Sequence, residues 1–148
     1  MNTEIRSQFA SMFAAWSTYT PSWTGATTNP VLGDGTLIGL YMKIGRTVSY
    51  HINLTSGATT TYGAGALSFA LPAAAASRGA SYIGNAHLLQ GGVRYTGHHI
   101  VSPGATTAGP SFPTSSGVST NSLWAQGTPI VLAAGAQVRI TGQYESAA

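Results

Sequence analysis

Few residues in this chain could carry chemistry. Three carboxylates (Glu4, Asp34 and Glu145) and four histidines (His51, His87, His98 and His99) are spread over 148 residues. Glycoside hydrolysis needs two carboxyl groups facing each other across a cleft. Asp34 lies in Gly33-Asp34-Gly35, where Asp is a favoured turn residue. Glu4 falls in a helical stretch and Glu145 at the tail of the sequence. The adjacent His98 and His99 must point to opposite faces of a strand, so only one could join a given zinc site. No Gly-x-Ser-x-Gly elbow is present, and Gly79-Ala80-Ser81-Tyr82-Ile83-Gly84 has the wrong spacing for one. Neither a phosphate-binding loop nor a dinucleotide fingerprint occurs. With no cysteine, disulfides, thiolate metal sites and cysteine nucleophiles are excluded. The expectation is a non-enzymatic protein with no cofactor and no metal.

The charge content points the same way. Only 6% of residues are charged, against about 25% in typical soluble domains. The apolar content of 43% is ordinary and runs along the whole chain, so the sequence reads as folded. Its surface must be built from Thr, Ser, Asn, Gln and Gly. Such a surface does little to keep copies apart, and suits a permanent assembly or an uncharged partner such as a glycan. Arg6, Lys43, Arg46, Arg78, Arg94 and Arg139 give a net charge of +3 but form no run. A nucleic-acid footprint needs clustered basic residues, so no nucleic-acid partner is expected. No apolar run approaches the ~18 residues of a membrane-crossing helix, so no membrane insertion is expected. No secretory signal pattern is visible either.

These residues must be positioned by two kinds of element. In residues 1–17, Asn2 or Thr3 can cap a helix, with Glu4 in its first turn. Ile5, Phe9, Met12 and Trp16 follow at spacings of 4, 3 and 4 and share one stripe, which Phe13 widens. So short an amphipathic helix must dock on something to be stable, and these five residues are the expected assembly interface. Residues 18–148 read as strands and turns. Leu37–Ile44 and Thr47–Thr55 form a hairpin across Gly45-Arg46. Alternation predicts Ile38, Leu40, Met42 and Ile44 inward on the first strand, and Val48, Tyr50, Ile52 and Leu54 inward on the second. Further strands are expected at 66–71, 81–89, 93–101, 122–125, 129–132 and 137–144. The stretch 102–120, rich in Pro, Gly, Ser and Thr, reads as a long ordered loop. The fold class is all-β: a jelly-roll-like antiparallel β-sandwich with a short N-terminal amphipathic helix. Among the aromatics, Tyr62 beside a turn and Trp124 are the candidates for glycan or surface contact.

The string Asn2-Thr3-Glu4-Ile5-Arg6 resembles a segment that recurs in tail-associated proteins of phages infecting actinobacteria. Tyr19-Thr20-Pro21-Ser22-Trp23-Thr24, Asn29-Pro30, Leu32 to Leu37, Gly39-x-Tyr41 and Gly45-Arg46-x-Val48 are similar to a module found in the same setting. Its continuation, Thr61-Tyr62-Gly63-x-Gly65 to Phe69-x-Leu71-Pro72, fits too. The resemblance covers the first half of the chain. It implies a trimeric virion structural protein that anchors by its N-terminal helix to other tail or capsid proteins. It implies localisation on the particle surface, as a tail fibre or tail-tip component or as a capsid decoration protein. A host-glycan-binding module is the further alternative, and the family brings no catalytic residues.

Overall fold

The computed structural model describes residues 2–12, 15–114 and 121–147. It shows an all-β, sandwich-like fold behind one short helix. The helix α1 spans Thr3–Met12. The strands are β1 (Ser17–Tyr19), β2 (Trp23–Gly25), β3 (Thr36–Ile44), β4 (Thr47–Thr55), β5 (Leu67–Ala70), β6 (Tyr82–Gln90), β7 (Val93–Val101), β8 (Thr107–Pro113), β9 (Asn121–Leu123) and β10 (Gln137–Glu145). Every pairing is antiparallel, in the order β1-β3-β4-β10-β6-β7-β8-β5-β2, with β9 beside β8.

The two layers are two ends of one curled sheet. The turn comes at β8, whose first residues pair with β5 (Phe69 with Ala108) and whose later ones pair with β7 and β9. This strand lies inside the stretch expected to be loop. Pro110 and Pro113 hid it, yet Ala108, Pro110 and Phe112 alternate inward and are buried. The loop reading therefore fails for 107–113, and residues 115–120 lie outside those described. The expected strand at 129–132 is a turn region, entered through a cis Thr128–Pro129 bond. The short β1 and β2 were not expected as strands. Both pair at the ends of the strand order, β1 with β3 and β2 with β5.

The β3–β4 hairpin forms as expected, but β3 faces the other way. Its turn sets Ile44 opposite Thr47, so Leu37, Gly39 and Tyr41 lie beside Leu54, Ile52 and Tyr50. Val48, Tyr50, Ile52 and Leu54 are each no more than 2% exposed. Partners directly across an antiparallel pair share a face, so Leu37, Gly39 and Tyr41 go in and Ile38, Leu40, Met42 and Ile44 go out. Ile38 is 52% exposed and Ile44 40%. Gly39 is required where it stands, because a Cβ there would strike the ring of Tyr19 on β1.

The core holds two aromatic clusters. Trp23, Phe69 and Trp124 stack in the β2–β5 layer, with Trp23 and Trp124 6.0 Å apart and nearly parallel at 7°. Tyr50, Tyr144 and His99 meet edge-on beneath the large sheet. Burial pushes the Tyr144 hydroxyl up to about 12, and that hydroxyl donates to the Ala73 carbonyl at 2.7 Å. The expected roles of the acids as turn and tail residues also find partners. Asp34 accepts from the Thr59 amide at 2.8 Å and the Ala58 amide at 3.2 Å. Glu145 takes both Arg46 and Arg78 at 2.9 Å.

Candidate functional site

Two surfaces stand out: the N-terminal arm and the outer face of the large sheet. In the arm, the Asn2 side chain accepts from the Glu4 amide at 3.2 Å, as an N-cap should. The apolar stripe that follows is not buried. Ile5 is 45% exposed, Phe9 54%, Met12 55% and Trp16 40%. The helix lies beside β3, the strand whose Ile38 and Ile44 also face solvent. Exposed apolar side chains thus occur both on the arm and on the strand beside it. Isolated exposed apolar residues need no explanation, but a set gathered on one side marks an interaction surface. Trp16 differs from the rest: its ring lies against His51 of β4, with centroids 4.7 Å apart. Phe13, the fifth residue expected here, lies outside the described residues.

The two aromatic candidates for surface contact are corrected. Trp124 is fully buried at 0% exposure, stacked on Trp23 and Phe69. Its amide donates to Pro110 and its carbonyl accepts from Leu67, so its backbone ties β8 to β5. Tyr62 is half-buried, meets Trp23 edge-on at 6.2 Å, and has its hydroxyl out of solvent. Both rings complete the Trp23 cluster, because the β2–β5 layer needs bulk that its short strands cannot supply.

The outer face of the large sheet is polar at its centre. Across β4, β10, β6 and β7, one row reads Asn53, Arg139, His87, Thr96, and the next reads His51, Thr141, Asn85, His98. A depression of about 420 Å³ opens over these rows, lined by His51, Asn53, Asn85, His87, Thr96, Arg139 and Thr141. A second, of about 460 Å³, shares His51, Asn85 and Thr141 with it and continues past Ser49, Gln143, Ile83, Met42 and Trp16. Together they make one groove along β10. None of the three carboxylates lines either part. Desolvation, with Arg139 and Arg94 nearby, holds His87 below the usual histidine range, so its ring is neutral at neutral pH.

His98 and His99 do point to opposite faces. His99 turns inward, is 1% exposed, and meets the Tyr50 hydroxyl through Nε2. Among the described residues, no three His, Asp or Glu side chains gather closely enough to hold a metal. No described helix is long and apolar enough to cross a membrane.

The chain matches no family model, no curated protein and no solved structure.

Sequence reasoning found the arm directly from the helical spacing of its large apolar residues. It missed the groove, though a signal for it was present. His51 and Asn53, His87, and Arg139 and Thr141 all occupy the polar phase of an alternating strand. What the sequence could not show was that β10 inserts between β4 and β6 and brings those phases side by side.

Proposed function

We propose that this chain is a non-enzymatic structural protein of a phage particle. It assembles with copies of itself through the N-terminal arm and holds its β domain outward. The observation that carries the reading is the solvent-facing stripe of Ile5, Phe9 and Met12 on α1, each at least 45% exposed. A ten-residue helix is too short to persist alone in water. Covering its apolar side with the same side of neighbouring copies removes that surface from water at about 25 cal/mol per Å². The resemblance of the first half of the chain to phage tail-associated proteins supports the virion setting and a trimer. It favours a tail fibre or tail-tip component over a capsid decoration protein. The absence of a catalytic role is supported by the two carboxylates of the β domain, since Asp34 clasps a loop and Glu145 holds two arginines.

Labelling intact particles with an antibody raised against the β domain tests the setting. Label at the tail is the expected result. Label at the head would assign the chain to capsid decoration, and unlabelled particles that contain the genome encoding it would overturn the virion reading.

A further inference from the structure

We propose that the groove along β10 binds an acidic glycan, with the anionic group on Arg139 and the sugar hydroxyls on the surrounding amides and hydroxyls. This does not rest on the particle reading, because the groove is formed within one chain.

Three observations carry it. The first is charge without compensation. Arg139 lines the groove and, among the described residues, reaches only the neutral side chain of Gln137. Arg94 lies close enough to act on His87, and no carboxylate lines the groove. An exposed guanidinium in that setting is ready to form a bidentate pair with a carboxylate, phosphate or sulfate. The second is the kind of neighbour it has. Asn53, Asn85, Thr96 and Thr141 surround it, each able both to donate and to accept. They stand on a regular grid, about 4.8 Å apart between strands and roughly 6.7 Å apart along one. A bare anion needs no such grid, whereas a chain of hydroxyl-bearing rings does. His87, neutral, adds a ring that can offer either role.

The third is shape. From Arg139 through Thr141 to Gln143 the groove follows β10 for about 13 Å. At its midpoint, where His51 lies across from Thr141, the Trp16 ring rests on His51, and Met42 and Ile83 line the half beyond. An aromatic wall beside a groove whose exposed lining is largely apolar between its polar side chains suits the apolar face of a sugar ring. A nucleic acid would also meet Arg139, but the groove has one aromatic wall, and the basic residues around it are too few to track a phosphate backbone.

Calorimetric titration of the full chain at low salt tests the proposal. The probes are oligogalacturonate, a glycerol-phosphate teichoic acid, sulfated dextran, neutral dextran and single-stranded DNA. Binding to at least one acidic glycan and none to neutral dextran is expected, and the three acidic probes identify the anion. Arg139→Ala should weaken that binding by about tenfold or more, since the pair it removes is charge-assisted. Asn85→Ala, at an exposed position, should weaken it severalfold for the glycan alone. Unchanged native mass and melting temperature would show that both variants fold and assemble. The proposal is overturned if no acidic glycan binds better than neutral dextran, or if Arg139→Ala binds as the parent does. It is equally overturned if DNA binds as tightly as the best glycan and Asn85→Ala leaves both alike.

Discussion

Trp124→Ala is expected to lower the stability of the β domain by about 3–5 kcal/mol. The indole is fully buried between Trp23 and Phe69, with ring centroids at 6.0 and 5.5 Å. Its Nε1 has no hydrogen-bond partner among the described residues, so the loss is one of packing. Removing the ring leaves a void that Trp23 cannot fill, because Trp23 is itself held by Phe69 and Tyr62. In a chain of this size such a loss lowers the melting temperature by on the order of 10 °C or more. An exposed tryptophan awaiting a ligand would behave differently, with an effect within about 0.5 kcal/mol. Thermal unfolding of the variant separates the two. A melting temperature within a degree or two of the parent would refute the packing described for the β2–β5 layer.

The second large effect is a loss of stability on acidification. His99 is buried beneath the large sheet, and burial holds its ring down to about 4, against 6.5 for a free histidine. Its Nε2 meets the Tyr50 hydroxyl, and Gly84 and Gly142 leave just enough space for the ring. The unfolded chain therefore takes up a proton at His99 that the folded chain refuses. Stability is complete above about pH 6.5. It declines as the pH falls towards 4, by about 3 kcal/mol in all at 1.36 kcal/mol per pH unit. His87, also held low, adds to the decline in the same direction. Asp34 does not confuse the window, since hydrogen bonds from Thr59 lower its carboxyl below 3.8 and its contribution fades only at still lower pH. Urea unfolding at pH 7 and at pH 4.5 checks this. The parent should lose most of the stated amount, and a His99→Gln variant should lose much less between the same two pH values. Equal losses in both would show that His99 is not the titrating group.

How much of this was legible in the sequence depended on whether two faces of a strand differ. On β4, apolar Val48, Tyr50, Ile52 and Leu54 alternate with Ser, His, Asn and Thr, and the inward set is unambiguous. On β3 the set that faces out from Ile38 to Ile44 is wholly apolar while the set that faces in ends on Lys43, so alternation alone pointed to the wrong face. The choice was nevertheless available, because a two-residue turn at Gly45-Arg46 fixes Ile44 opposite Thr47, and Thr47 belongs to the outward set. Combining the turn with the pattern of β4 gives the right face for β3. The strand β8 was hidden for a different reason. Its two prolines argue against a strand by local preference, and only the pairing of its two ends with different partners, β5 and β7, shows what it does.

The site residues divide along the same line. The arm was visible because helical spacing is a local property. Trp124 was misplaced because a tryptophan beside Ser and Leu carries no local mark of burial, and its environment is supplied by β2, β5 and β8. For His99, adjacency to His98 meant that one of the two must turn in. Its neighbours on the same face, Gly97 and Val101, pointed to which. The groove depends on β10 lying between β4 and β6, a long-range pairing that no local pattern encodes.

The central claim is that the exposed arm is an assembly surface. Native mass spectrometry of the full chain, beside a Phe9→Asp, Met12→Asp double variant, tests it most directly. Both side chains are more than half exposed, so the charges are tolerated by the isolated fold. The account predicts an oligomer for the parent, a trimer by the resemblance, and a monomer with an unchanged melting transition of the β domain for the variant. A parent chain that remains monomeric with its arm intact would contradict it.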